Sequence, residues 1–268
     1  MTWLLLRGLT REARHWGDFA SRFATALHEK SHDKTEDVIA LDLPGNGEFH
    51  RQRSPASVGH MTDFFRAQIM ARGLTSALPV RVFAMSLGAM VATDWALRFP
   101  QEIERLVLVN TSFKTFSGPT ERLRLNHWPT LAHMALQWRL PEAAPAIEHT
   151  LHRLTCQETL TRAADVAAWL QIRRDAPVSA ANAARQLWAA ARYTGGSIAP
   201  ICPVLVLSSA RDALVDPRCS LRLADAWHCA HHTHPTAGHD LPHDDADWVG
   251  ERVQAWLWDT DIRRRAQP

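Results

Sequence analysis

The sequence predicts an α/β chain: a mostly parallel, doubly wound sheet interrupted by one large helical insertion. Three observations predict it. Strand-like apolar runs alternate with amphipathic helical patterns at both ends of the chain, and such alternation calls for parallel strands with helices on both faces. The segment from Val80 runs as a strand, breaks at Ser86 and continues at once as a helix. Between Asn110 and Pro200 no strand of comparable strength appears, while helical patterns do.

The elements follow in order. Thr2 to Leu6 and Val38 to Leu41 are short apolar strands, separated by a helix over Arg14 to Glu29 with apolar residues at Trp16, Phe19, Phe23 and Leu27. A second helix, Val58 to Arg72, carries Met61, Phe64, Phe65 and Ile69 and stops at Gly73. The strand Val80 to Ala84 passes into a helix from Leu87 to Phe99, which Pro100 ends. Leu106 to Asn110 is a further strand. Four helical stretches then follow: Leu131 to Leu140, Ala144 to Leu154, Leu160 to Arg174 and Ala180 to Tyr193. Strand character returns at Val204 to Leu207, a last strand at His231 to His234 is placed by position rather than by periodicity, and a helix from Asp245 to Trp258 lies near the end. The division expected is a core of residues 1–112 and 199–268 with residues 113–198 inserted.

Ser86 is the most informative residue. A serine on a sharp strand-to-helix turn projects its hydroxyl above the sheet edge, and small residues on either side, Ala84 and Gly88, let the two backbones pass closely. The bland alternative is a serine capping an ordinary helix. Two later segments weigh against it. Asp212 follows the buried strand Val204 to Leu207, at the carboxyl end where catalytic groups gather in open α/β sheets. His239 follows Gly238, which frees the backbone to swing the imidazole toward a serine from elsewhere.

With the order Ser86, Asp212, His239, the chain resembles the α/β-hydrolase superfamily over almost its whole length. The resemblance rests on Arg7-Gly8-Leu9, the run Asp42 to Gly47, Ala84 to Gly88, Ser208 to Asp212, and Gly238-His239. It implies that Ser86 attacks a carbonyl, that His239 takes and returns the proton, and that Asp212 holds the imidazole in the right tautomer. It further implies an oxyanion hole from the backbone N–H groups of Leu9 and Leu87. Asp216 and His243, each four residues on, are the possible stand-ins; Asp212 has the family's spacing from its strand and His239 follows the loop glycine.

The chain departs from the family pattern at three places. Ala84 and Ser209 stand where glycine is common, changes small enough to fit. Arg7 stands where a histidine usually braces the oxyanion loop, and a guanidinium there could meet an anionic substrate group or form a structural ion pair. Met85, next to the nucleophile, is expected to face the pocket.

The inserted helices resemble the helical lid of many family members, which shapes the substrate pocket and excludes water. Arginines are frequent there: Arg122, Arg124, Arg139, Arg153, Arg162, Arg173, Arg174, Arg185 and Arg192. An ordinary solvated helix surface explains them; the sharper reading is a docking face for an acidic carrier protein that presents an acyl group. Trp128, Trp138, Trp169 and Trp188 could line an acyl tunnel, although core packing is the commoner fate of tryptophan.

Composition narrows the function classes. At 268 residues with a net charge of +2, the chain can bury a sizeable core and has no basic tail suited to nucleic acid. The run Arg263 to Arg265 reads as a solvated helix end. No stretch is long enough to span a membrane, the N-terminus reads as a strand rather than a signal peptide, and the expected location is cytoplasmic. Four cysteines lie far apart without a paired spacing. Fifteen histidines include a cluster at His228, His231, His232, His234, His239 and His243, but without fixed ligand spacing no metal and no cofactor are expected. The expected activity is hydrolysis of a small-molecule carboxylic ester or thioester through an acyl-serine. Carbon–carbon bond hydrolysis, a cofactor-free lyase or oxygenase reaction, and a non-catalytic ligand-binding role are the alternatives on the same fold.

Overall fold

The computed structural model describes residues 1–28 and 37–265. Glu29, the last residue of the first expected helix, and the side chains of the Arg263 to Arg265 run lie outside the described residues.

The core elements are β1 (Thr2–Leu6), α1 (Phe19–His28), β2 (Asp37–Leu41), α2 (Val58–Ala71), β3 (Val80–Met85), α3 (Leu87–Arg98) and β4 (Ile103–Val109). Five helices follow: α4 (Pro119–Arg122), α5 (Trp128–Gln137), α6 (Ala144–Thr155), α7 (Arg162–Asp175) and α8 (Ala180–Arg192). The chain then completes the sheet with β5 (Val204–Ser209), α9 (Arg218–Trp227), β6 (Ala230–His234), α10 (Leu241–Asp244) and α11 (Ala246–Arg265). The strands form one six-stranded parallel sheet in the order β2-β1-β3-β4-β5-β6.

Strand alternation builds two cores, one on each face. Leu4, Leu6, Val82, Ala84, Leu106, Leu108 and Val206 pack on α2, α3 and α9 through Phe65, Trp95 and Leu223. Trp3, Leu5, Phe83, Met85, Val107 and Leu207 point the other way, onto Phe19 and Phe23 of α1 and Val253 of α11. Each such apolar side chain contributes about 1.5–3 kcal/mol by leaving water. That burial on both faces is why Val82 to Met85 in β3, Leu106 to Val109 in β4 and Val204 to Leu207 in β5 read as unbroken apolar runs.

The structure moves several expected boundaries for identifiable reasons. The first helix is split: a short 3-10 turn, Ala13–Trp16, ends at Gly17 with φ 55°, and α1 starts anew at Phe19. Strand β4 begins at Ile103 because the charges of Glu104 and Arg105 hide strand character while being paired in place, Glu104 with Arg81 (2.9 Å) and Arg105 with Thr260 and Asp261. Pro129 opens α5 in its first turn, earlier than the expected start at Leu131. Helix α11 outruns its expected end at Trp258, since no glycine or proline occurs in 251–267 to stop it. Strand β6 pairs with β5 from Ala230 to His234, and its polar sequence suits an edge strand with exposed side chains.

No described helix is long and apolar enough to cross a membrane.

Candidate active site

Ser86 occupies the turn between β3 and α3 with φ 52° and ψ −119°, a backbone conformation that non-glycine residues rarely hold. Two hydrogen bonds hold it there. Ser86 N–H donates to the Val109 carbonyl (2.9 Å), and Thr111 Oγ1 donates to the Ser86 carbonyl (3.0 Å). Gly88 permits the turn: a Cβ there would stand 2.5 Å from the carbonyl oxygens of both Leu6 and Arg7. The loop after β1 runs beside the serine, because a Cβ on Gly8 would lie 3.0 Å from Ser86 Cβ and 3.5 Å from its Oγ. Leu87, first residue of α3, has an N–H with no intrahelical acceptor by position. Leu9 continues the loop from Gly8.

At the carboxyl ends of the neighbouring strands, His239 Nδ1 lies 2.7 Å from Asp212 Oδ2, with both residues buried. An ionised carboxylate only accepts, so Nδ1 carries the proton and Nε2 keeps its lone pair. The other carboxylate oxygen, Asp212 Oδ1, accepts from the N–H groups of Leu214 (2.8 Å) and Val215 (2.9 Å), which fixes the acid's rotamer. Burial alone would lower the His239 pKa, but the charge and hydrogen bond of Asp212 outweigh it and hold the imidazole above its ordinary value.

The two stand-ins are engaged elsewhere. Asp216, just ahead of α9, accepts from the Arg218 N–H (3.0 Å) and pairs with the Arg218 guanidinium, which keeps its carboxyl below the usual range. His243 faces Asp165 in the inserted segment (3.2 Å).

Arg7 is not open to a substrate group. Its guanidinium grips Asp240 through two parallel bonds, Nη1 to Oδ1 at 2.9 Å and Nη2 to Oδ2 at 2.6 Å, and lies over the Trp16 ring. Burial would raise the Asp240 pKa; Arg7 overturns that and holds the carboxyl below its ordinary value. Of the two readings for Arg7, the structural ion pair is the one formed, and it ties the loop after β1 to the loop carrying His239. Met85 departs from expectation too: strand alternation turns it with Phe83 into the α1/α11 core, where it is 3% exposed.

Several positioning residues carried no recognisable motif. Asn110, at φ 46°, donates through Nδ2 to Ser209 Oγ (3.0 Å) and to the carbonyls of Gly238 (3.2 Å) and His239 (2.8 Å), while its Oδ1 accepts from Ser209 N–H (2.9 Å). An asparagine closing a strand is the available signal, since asparagine tolerates positive φ. Gln186 of α8 accepts from Thr10 N–H (2.9 Å), beside Leu9, so the inserted helices help shape that loop. His234 Nδ1 accepts from Ala237 N–H (2.8 Å) in the turn before His239. The end of α6 meets the histidine loop directly: the Thr155 carbonyl accepts from Asp240 N–H (2.7 Å), and a Cβ on Gly238 would lie 2.6 Å from that oxygen. Asp244 clamps the same junction by accepting from Gly238 (2.6 Å) and Glu158 (2.9 Å) N–H groups.

Of the arginines in the inserted segment, Arg122 donates to the carbonyls of Ala190 and Ala191, Arg124 to the Asp212 carbonyl, and Arg173 to Glu148. Those charges support the fold from within. Among the described residues, one group outside the Asp212–His239 pair has donors placed for a metal ion: His152, Cys156 and His243.

Known proteins bear on this geometry. The chain is 27% identical over 145 residues to an uncharacterized protein of Mycobacterium tuberculosis, a match covering 54% of this chain and 39% of that protein. The chain thus spans well under two thirds of that curated relative. Among solved structures, a thermophilic esterase from Thermogutta terrifontis superposes with TM-score 0.71 at 20% identity, over 97% of this chain and 90% of that one. An enol-lactonase from Burkholderia xenovorans gives 0.73 at 18%, over 96% and 90%. A haloalkane dehalogenase variant from Bradyrhizobium elkanii gives 0.64 at 18%, over 100% and 92%, so one fold carries different chemistries. The profile of the family described as serine aminopeptidase, S33, matches residues 11–246, and with the sheet and its neighbours this establishes that the chain belongs to that family of α/β-hydrolases.

Proposed function

We propose that this chain is a serine hydrolase that cleaves carboxylic esters through an acyl-serine intermediate. The observation that carries the reading is the strained backbone of Ser86, φ 52° and ψ −119°, held by hydrogen bonds at both ends of its peptide. Such strain is kept where a hydroxyl must be presented, and a helix cap has no use for it.

In the mechanism, His239 Nε2 accepts the Ser86 proton as Oγ attacks the ester carbonyl. Asp212 stays ionised and stabilises the imidazolium that forms. The N–H groups of Leu87 and Leu9 serve the developing oxyanion, the second carried on the loop that Gly8 brings against Ser86. His239 then returns the proton to the departing alcohol, and water repeats the sequence to release the acid and restore Ser86. The helices between β4 and β5 act as a lid over this centre and set the acyl pocket. Their contact with the loop after β1 through Gln186, and with the histidine loop through Thr155, supports that role.

The test exposes the protein and its Ser86→Ala variant to a fluorescent fluorophosphonate, with short and medium-chain p-nitrophenyl esters and an aminoacyl p-nitroanilide as substrates. Labelling and ester turnover should both disappear in the variant. Turnover that survives Ser86→Ala would sink the assignment, and anilide cleavage exceeding ester cleavage would replace the esterase by a peptidase.

A further inference from the structure

The second cluster of reactive side chains lies apart from the Ser86 chemistry, at the junction of the inserted helices with the histidine loop. His152 lies in the last turn of α6, and Cys156, the residue that closes the helix, donates its N–H to the His152 carbonyl (2.8 Å), which keeps the two residues together. His243 reaches them from α10. Donor atoms of the three lie within 4.8 Å of one another. Tetrahedral zinc with bonds of about 2.0–2.3 Å needs its donors somewhat closer, a closure within reach of side-chain rotation.

The local hydrogen bonding is incomplete in a way that fits a ligand. His152 is fully buried, yet its Nδ1 has no hydrogen-bond partner, and His243 Nε2 has none either. Buried ring nitrogens normally find partners. Asp165 Oδ2 lies 3.1 Å from His152 Nε2, the carboxylate partner that metal-ligating histidines use on their second ring nitrogen, which leaves Nδ1 of that ring for the metal; it also stands 3.2 Å from His243 Nε2 without hydrogen-bond alignment. Trp169 packs against both imidazoles and shields the site.

We infer that His152, Cys156 and His243, with Asp165 against the two imidazoles, bind one divalent transition-metal ion of the zinc class. Two imidazoles and a thiolate suit zinc or cobalt and disfavour magnesium and calcium, which prefer oxygen. On binding, the Cys156 thiol gives its proton to solvent and its sulfur lone pair to the metal; no oxidation is involved. The thiolate and Asp165 then balance the ion's two charges. Because the donors come from α6 and α10, the ion would pin the inserted helices to the loop of His239. This inference is independent of the esterase reading and can be tested in the Ser86→Ala background.

The test removes adventitious metal from untagged full-length protein with a chelator and titrates it with Co²⁺, followed by competition with Zn²⁺. One equivalent of cobalt should bind with thiolate-to-metal charge-transfer absorption, and zinc should displace it and raise Tm. Cys156→Ser should abolish that absorption, whereas joint replacement of Cys202, Cys219 and Cys229 by serine should preserve it. Asp165→Asn should weaken affinity by about 10–100-fold. Absence of the charge-transfer band in the parent protein, or its persistence in Cys156→Ser, would overturn the site. Should Cys156→Ser fail to fold, the partly exposed His243→Asn decides: affinity reduced at least tenfold supports the site, and unchanged affinity refutes it.

Discussion

Asp212 and Asp216 sit four residues apart on one loop, yet their surroundings assign them opposite work. Asp212→Asn should lower ester turnover by about 10⁴-fold, because the amide favours the wrong imidazole tautomer. Asp216→Asn keeps an acceptor for the Arg218 N–H and should leave turnover unchanged. Equal losses in steady-state assays would refute the choice of acid. The raised pKa of His239 sets the pH dependence: the ring must be neutral to accept the serine proton, so acylation should rise through a midpoint above 6.5. A pre-steady-state profile that is flat, or centred below that value, would contradict the arrangement. The stability linkage runs the other way. The fold favours protonated His239, so that contribution is present at acid pH and fades as pH rises through the folded pKa. Arg7 and Asp240 form the most buried ion pair near the site, with side chains 3% and 4% exposed. Arg7→Met strands a carboxylate and should cost about 3–5 kcal/mol in urea unfolding, while Arg7→Met with Asp240→Asn should recover much of it. At this scale the sequence showed which residues carry chemical groups but not which groups neutralise each other. Arg7 and Asp240 are 233 positions apart, and no local pattern links them.

Elements were legible wherever both sheet faces are apolar. Val82 to Met85 of β3 and Val204 to Leu207 of β5 read as continuous hydrophobic runs because each face meets its own helices. β6 did not, since an edge strand can expose histidine and threonine, and the start of β4 was masked by charges whose partners lie on β3 and α11. Asn110, the hub joining the ends of β4 and β5 to the histidine loop, looked like an ordinary strand end because its role depends on a positive φ that sequence does not display. Two glycines separate element packing from site geometry. Gly88→Ala forces a methyl against the carbonyls of β1's last residue and Arg7, and it should both destabilise the fold, by about 1–3 kcal/mol, and reduce fluorophosphonate labelling of the folded protein. In Gly250→Ala the new Cβ would meet Ala26 Cβ at 2.8 Å, between α11 and α1, neither of which forms the elbow. Its stability loss should be similar and its labelling intact. Equal labelling defects in the two would show that the elbow does not depend on the α3–β1 approach.

Across the whole molecule, apolar burial is uneven. Both faces of the sheet carry continuous cores, whereas α5 and α6 rest on a cluster whose buried members are Met134, Ile147 and Leu154. Hydrogen exchange followed by mass spectrometry should find the amides of α5 and α6 opening well before those of β3 and β4. Uniform protection would mean that the inserted helices fold and unfold with the sheet. The helices between β4 and β5 were legible as a long interval without strands, but their contacts were not, because backbone contacts such as that between Thr155 and Asp240 leave no mark on side-chain identity. That contact limits how specificity could be re-engineered. A recombinant chimera that exchanges the helices between β4 and β5 for those of a relative inherits a seam at Thr155, where the carbonyl must face Asp240 and Gly238 leaves no room for a displaced chain. Crossovers set on the β4 side of these helices alone would displace the His239 loop even with Ser86, Asp212 and His239 retained, so transplanted segments should be matched at Thr155 before they are matched in length.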